Sequence, residues 1–412
     1  MWPPRGHLWL QSLSVVFAAQ QTPLVRAVEF DGPFQANTSI VNGEFEKYVE
    51  EQMQRWQVPG IAMSVLEGKN TWMKVRRDLT APCLLCMLTQ QQGFGYANTN
   101  KDPVTTSTLF YCGSMTKSFT AAAMSQLVDE PHKYSNINWT SKVSHLLPEF
   151  VLSDQWATKH ITVEDCLSHR TGYPTHDNTG LYGNSSESMV RNLRNLPMSY
   201  EPREKWQYSN IMYGTMGYLI ERLTNTTLAN YFRDRLWRPM GMNNTYLHPA
   251  DALAHGETLC QAFYWNNDTK EYGVVPWKDE HNVAAAGMTL SSVKDWSKYL
   301  RHLIEESGPI SKAGHAAVKQ PRMLGLPLPY FVGSIYYGFG WESTVFQNEN
   351  IWWHSDLVDR MMSIMVIIPS RKFAFVIMMN ASRQPALDSI LMKALYDHFK
   401  VPDVERVDVA AS

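Results

Sequence analysis

Ser114 and Lys117 stand three positions apart in the segment GSMTKSFTAAAMSQLV, whose alanine, leucine and methionine content predicts a helix beginning near Gly113. Residues three apart share one face of a helix, so the lysine amine falls within reach of the serine hydroxyl. A serine hydroxyl is a poor nucleophile at its own pKa and needs a neighbouring base, a role that a lysine with a pKa lowered by desolvation can fill. The helix start adds backbone N–H groups aimed at developing negative charge. Ser291 and Lys294 repeat the spacing, but their setting, TLSSVKDW, is that of an N-cap ahead of an amphipathic helix, with the lysine on its solvated face.

Proton transfer needs a further group. Tyr208-Ser209-Asn210 offers a phenol and an amide between the turn residues EPREKW and the helical run IMYGTMGYLIERL, although a loop tyrosine capping that helix is the bland alternative. Tyr134-Ser135-Asn136 in a polar loop and Tyr264-Trp265-Asn266 in an exposed turn are weaker candidates. A third group would be a strand whose edge pairs with a substrate. Trp353-His354-Ser355-Asp356 fits that place, ahead of an apolar hairpin, though an isolated histidine at a strand end is more often simply hydrogen-bonded there.

Elements at both ends of the chain must position these groups. Residues 39–56 read as an amphipathic helix ended by Pro59 and Gly60, and IAMSVLEG from Ile61 as a buried strand. Residues 213–223 and 293–304 have helical spacing, 337–342, 350–354, 361–368 and 373–379 read as strands, and 385–399 as a last helix. Strand-rich ends around a helical centre predict one sheet built from both termini. The expected domain covers 40–400, with a sheet unit from 40–110 and 330–400 and a helical unit within 120–290. Residues 73–92 (MKVRRDLTAPCLLCMLTQQQ, extending from Met73) break this plan, because they have no steady period and separate segments that would join naturally as strands. A variable surface loop and a translated intron both fit.

Bulk properties narrow the partners. A chain of 412 residues, 44% hydrophobic and 18% charged, belongs to the globular class, and its net charge of −2 gives no electrostatic handle for nucleic acid or anionic lipid. Small molecules are the expected substrates. Residues 1–19 carry a run from Leu8 to Ala19 with the length of a signal-peptide core, diluted by Gln11, Ser12 and Ser14. N-x-S/T triplets at Asn37, Asn138, Asn184, Asn225, Asn243, Asn267 and Asn380 exceed the roughly two or three that composition gives, and favour a secreted glycoprotein over a cytoplasmic protein. Cys83, Cys86, Cys112, Cys166 and Cys260 form neither a disulfide framework nor a zinc pattern. The apolar stretch 361–379, broken by Pro369, Ser370, Arg371 and Lys372, suits a hairpin of two buried strands, not a membrane span.

Ser-x-x-Lys, Tyr-Ser-Asn and His-Ser-x in this order resemble the serine beta-lactamase, penicillin-binding protein and esterase superfamily, especially its class C-like branch. LSHRTGYPTHD from Leu167, EPREKWQYSN from Glu201, LWRPMGMNNTYL from Leu236, AAAGMTLSS from Ala284 and YGFGW from Tyr337 are similar to stretches of that branch, particularly in fungal members. The resemblance runs from about Glu44 to Lys400. It implies an α/β fold of the α+β kind: an antiparallel sheet flanked by helices in an α/β/α sandwich, with an inserted all-helical subdomain and a cleft between them. It also implies Ser114 as nucleophile, Lys117 as its activating neighbour and Tyr208 as proton shuttle. Asn210, His354 and Ser355 would bind substrate, backbone N–H groups of Ser114 and Leu357 would form an oxyanion hole, and no metal or other cofactor takes part. The implied reaction is hydrolysis of an ester or amide through an acyl-serine. Transfer of the acyl group, from a thioester for instance, to an alcohol and a binding protein with a decayed site are the alternatives. One departure stands out: the third motif ends in Asp356 where the family has glycine, so a charged side chain either faces the cleft or twists the strand.

Overall fold

The computed structural model describes residues 40–74, 94–177, 185–328, 330–331 and 333–409. The expected leader 1–19, the triplets at Asn37 and Asn184, Cys83, Cys86 and all of the expected insertion beyond Lys74 lie outside the described residues.

Asn42 starts α1 (Gly43–Trp56) by accepting the N–H groups of Glu44 and Phe45, and Gln57 in the left-handed region ends it ahead of Pro59. β1 (Gly60–Glu67) and β2 (Asn70–Lys74) then form a hairpin. After the middle of the chain come β3 (Glu342–Phe346), β4 (Glu349–Val358), β5 (Met361–Ile368) and β6 (Phe373–Met379). Among the described residues the main sheet is antiparallel with nine strands. Its order is β2-β1-β6-β5-β4-β3, continued by Tyr336–Tyr337 and Met323–Leu324, with Phe94–Gly95 also on β1. The two ends of the chain meet where β1 pairs with β6, from Ile61 opposite Met379 to Glu67 opposite Phe373.

β5 and β6 are buried along their whole length, the apolar hairpin that 361–379 suggests, and successive side chains feed opposite faces. Met365, Ile367 and Val376 face a core shared with Phe119 of α2 (Thr116–Asp129), Ile211 of α3 (Asn210–Thr224) and Trp296 of α4 (Val293–Glu305). Ile364, Val366, Phe375 and Ile377 face a second core with Phe45 of α1 and Leu387 and Ile390 of α5 (Gln384–Phe399). Each such side chain, fully buried, stabilises the fold by about 1.5–3 kcal/mol. No helix among the described residues is long and apolar enough to cross a membrane.

Several local readings change. The segment 337–342 is not one strand: Tyr336–Tyr337 and Glu342–Phe346 pair across a turn, because Gly340 adopts φ +71°. The helical centre also carries a hairpin, Ala262–Asn266 with Glu271–Val275, so Tyr264-Trp265-Asn266 is strand, and the turn follows it where Asn266 Oδ1 accepts from Asp268 N–H. Its run of aromatics, Phe263, Tyr264 and Trp265, favours a strand over a loop. Asn380, in a glycosylation triplet, is wholly buried; its Oδ1 accepts from Gly60 N–H at 2.7 Å and its Nδ2 donates to the Tyr96 carbonyl at 2.8 Å, tying the end of β6 to the start of β1.

β2 and Phe94–Gly95 lie along the same edge of β1. Lys74 pairs with Met63 and Phe94 pairs with Ile61, so only the position opposite Ala62 separates the two registers. Met73 and Lys74 are therefore the last residues of β2 rather than the start of an irregular segment.

Candidate active site

The turn Gly113–Met115 leads directly into α2, so Ser114 precedes the helix and Lys117 lies in its first turn. Three contacts pin this helix start against residues 284–289. Thr116 Oγ1 accepts from Thr289 N–H, Thr120 Oγ1 donates to the Ala285 carbonyl, and Lys117 Nζ donates to the Ala286 carbonyl at 2.8 Å. As an ammonium, Lys117 Nζ also donates to Ser114 Oγ at 2.8 Å and to Asn210 Oδ1 at 2.7 Å. Asn210 opens α3, and its Nδ2 donates to the Asp177 carboxylate at 3.2 and 3.3 Å, which fixes the amide with its oxygen toward Lys117.

These partners set the direction of proton transfer. A neutral amine has two N–H groups and one lone pair. Asn210 Oδ1 and the Ala286 carbonyl can only accept, so they take both N–H groups and leave the lone pair for the one partner able to donate, the Ser114 hydroxyl. The neutral form is accessible: burial pulls Lys117 down to about 7, against the opposing charges of Asp356 and Asp177.

Tyr208 Oη donates to Ser114 Oγ at 2.5 Å. Burial pushes its phenol well above the ordinary range, so it stays protonated. His169 holds this tyrosine in place, its ring 4.3 Å from the Tyr208 ring and its Nδ1 accepting from Ser209 N–H at 3.1 Å.

The structure thus brings Ser114, Lys117, Tyr208 and Asn210 together, as the sequence suggests. The decoy pair separates: Ser291 is buried on the short strand Leu290–Ser291 with its Oγ 2.7 Å from Thr245 Oγ1, its neighbour Ser292 caps α4, and Lys294 is exposed. On β4 the arrangement differs from expectation. His354 is buried and both its nitrogens have protein partners, with Nε2 at 3.0 Å from Tyr337 Oη and Nδ1 at 2.8 Å from the Ser355 carbonyl. That carbonyl must accept, so Nδ1 carries the proton and Nε2 accepts from Tyr337. Burial, with the nearby Lys117 charge, pulls His354 down to about 3, so it is neutral. Strand alternation turns Ser355 to the opposite face, and it is Asp356 that reaches the cluster. The Asp356 carboxylate accepts from the backbone N–H groups of Ser114 and Leu357 and from the Ser114 hydroxyl, and burial raises it to about 6. A Cβ on Gly113 would lie 1.3 Å from a carboxylate oxygen of Asp356, so only glycine fits there.

Sequence reading missed three partners: Asp177, the Ala286 carbonyl and Tyr337. All lie in the stretches LSHRTGYPTHD, AAAGMTLSS and YGFGW that carry the resemblance, but a backbone carbonyl has no side-chain signature.

The sandwich around one antiparallel sheet and the serine–lysine–tyrosine cluster at the start of α2 place the chain in the beta-lactamase and penicillin-binding superfamily. More particularly, the chain belongs to the beta-lactamase family, whose model matches residues 45–394. It is 36% identical over 346 residues to unguisins hydrolase ungD' of Aspergillus campestris, covering 82% of this chain and 61% of that protein. It is 31% identical over 401 residues to unguisins hydrolase ungD of Aspergillus violaceofuscus, covering 90% and 67%. The chain therefore spans about three fifths to two thirds of the length of these relatives. Among solved structures, an octameric penicillin-binding protein homologue from Pyrococcus abyssi superposes with a TM-score of 0.75 at 24% identity, covering 90% of this chain and 80% of that one, a likeness of fold.

Proposed function

We propose that this chain is a serine hydrolase that cleaves an ester or amide through an acyl-enzyme on Ser114. The observation that carries this reading is the placement of Lys117 Nζ 2.8 Å from Ser114 Oγ with two acceptor-only partners, which in the neutral amine leave its lone pair to the serine. In acylation the Ser114 proton passes to Lys117 as Oγ bonds to the acyl carbon, and the carbonyl electron pair moves onto its oxygen beside the Ser114 and Leu357 N–H groups. The carbon–oxygen or carbon–nitrogen bond then breaks. The leaving group takes the Tyr208 phenol proton, and Lys117 returns a proton to Tyr208. Water next attacks the acyl-serine by the same route, giving up one proton to the Lys117–Tyr208 pair, which goes back to Ser114 as it departs from the carboxylic acid.

Two relatives named as unguisins hydrolases support hydrolysis as the outcome, and unguisins are the first substrates to offer. A fluorophosphonate probe tests the nucleophile. Intact-mass and peptide analysis are expected to place one adduct on Ser114, and Ser114→Ala to remove it. Folded protein that gives no Ser114 adduct, in the natural chain and in Asp356→Gly alike, would overturn the reading.

A further inference from the structure

On the acyl-serine reading, we propose that the Asp356 carboxylate is a built-in ligand of the oxyanion hole: the resting enzyme is capped by its own side chain, and acylation begins only when that carboxylate withdraws. The backbone N–H groups of Ser114 and Leu357 converge beside Ser114 Oγ, the place an acyl oxygen must take to be polarised. Both already point at Asp356. The carboxylate reaches them because Gly113, at φ +48°, has no side chain; the Asp356 Cγ lies 1.8 Å from where a Gly113 Cβ would stand. A carboxylate oxygen and an acyl oxygen cannot share that space.

Occupancy is one of three ways in which Asp356 opposes attack. Its bond with the Ser114 hydroxyl draws the serine proton away from the Lys117 lone pair. Its negative charge favours the ammonium form of Lys117, which has no lone pair to offer. A neutral acyl carbonyl competes poorly for the same donors, since hydrogen bonds to an ionised acceptor are about twice as strong. Rotation about the Asp356 Cα–Cβ bond frees all three at once, because every contact is made by the same carboxylate.

The hole is therefore a carboxylate site that the chain fills from within. Hydrolysis releases a carboxylic acid at this very place, so a tethered carboxylate also excludes product from rebinding. Removing Asp356 opens the site to small carboxylates from solution.

The test measures the second-order rate of Ser114 labelling by a fluorophosphonate in the natural chain, Asp356→Gly and Asp356→Ala, with and without sodium acetate at constant ionic strength. Thermal melts identify which variants are folded, and the alanine variant serves if the glycine variant does not fold. The expected result is labelling about ten- to a hundred-fold faster without Asp356, at or below the roughly 10²- to 10³-fold that loss of one oxyanion-hole donor costs. Acetate is expected to slow the variant in proportion to its concentration and to leave the natural chain unaffected. Folded variants that label no faster than the natural chain, or that acetate does not protect, overturn the capping proposal while Ser114 labelling itself leaves the nucleophile in place. Labelling that survives Ser114→Ala, or is absent from every variant, overturns the acyl-serine reading instead.

Discussion

On the acyl-serine reading proposed above, Lys117 can serve as a base only when neutral, so the rate of Ser114 acylation must follow its titration. An ordinary lysine, at 10.5, is neutral in about one molecule in three thousand at pH 7, since each pH unit below the pKa reduces the free amine about tenfold. Burial pulls Lys117 to about 7, where about half the molecules hold the free amine. The structure thus provides about a thousand-fold more competent enzyme at neutral pH than an exposed lysine would. The sign follows directly: the labelling rate falls about tenfold for each pH unit below 7 and levels off above it. Other groups around the amine leave this limb alone. Tyr208 and Tyr213, whose rings lie 4.6 and 5.4 Å from Nζ, titrate far above it, and buried His169 and His354 far below. Asp356, at about 6, overlaps, and it holds Lys117 protonated. Asp356→Gly is therefore expected to move the limb to lower pH. Lys117→Arg, whose guanidinium does not deprotonate, is expected to slow labelling by about 10²- to 10⁴-fold at every pH. The assay is fluorophosphonate labelling followed from pH 4.5 to 9 by intact mass. A limb centred near 10, a rate preserved in Lys117→Arg, or a limb that moves upward in Asp356→Gly would each refute the reasoning.

Gly340→Ala is expected to lower stability by about 1–3 kcal/mol in urea unfolding and to slow labelling, because the position has φ +71° and a Cβ would stand 2.7 Å from the Lys117 carbonyl; an unchanged midpoint would contradict the close approach. Asn380→Ala removes the side-chain acceptor of Gly60 N–H and one donor to the Tyr96 carbonyl, a loss of about 1–3 kcal/mol measurable the same way. Glycopeptide mapping of the folded protein is expected to find Asn380 unmodified, whatever exposed Asn138, Asn225, Asn243 and Asn267 carry. Deleting residues 75–92 puts Gly93 next to Lys74 and opposite Ala62, in register with both flanks. The shortened chain is expected to fold with an unfolding midpoint no lower than the full chain, and a lower one would show that the segment belongs to the fold.

Periodicity made the frame legible: α1, the β5–β6 hairpin, α4 and α5 are strongly patterned, and each forms within a few residues of its expected span. The 337–342 segment was harder, because its bend comes from one glycine packed on the Lys117 backbone, a tertiary contact with no local signal. The site divides in the same way. Ser114 and Lys117 are one helical turn apart, so spacing alone relates them, whereas Asp177 and Ala286 reach the lysine through the fold. His354 is a different case. Motif order places it toward substrate, yet its two nitrogens are satisfied by Tyr337 and by its own strand.

Hydrogen counting also assigns the proposed roles of Lys117 and Tyr208. Both touch Ser114 Oγ, and either chemistry is conceivable from distance alone. A phenol that donates to Oγ at 2.5 Å, and that burial keeps protonated, cannot at the same moment remove the serine proton. Lys117 meets the opposite conditions, with its two N–H groups committed elsewhere and its amine near neutrality at about 7. The same burial that weakens the lysine's hold on its proton strengthens the tyrosine's, because both shifts disfavour charge, on an ammonium in one case and a phenolate in the other. One apolar pocket therefore separates a base from an acid. The carboxylate of Asp356 works against that separation by restoring charge to Lys117, and on the capping proposal its withdrawal, rather than the arrival of a base, sets the start of the reaction.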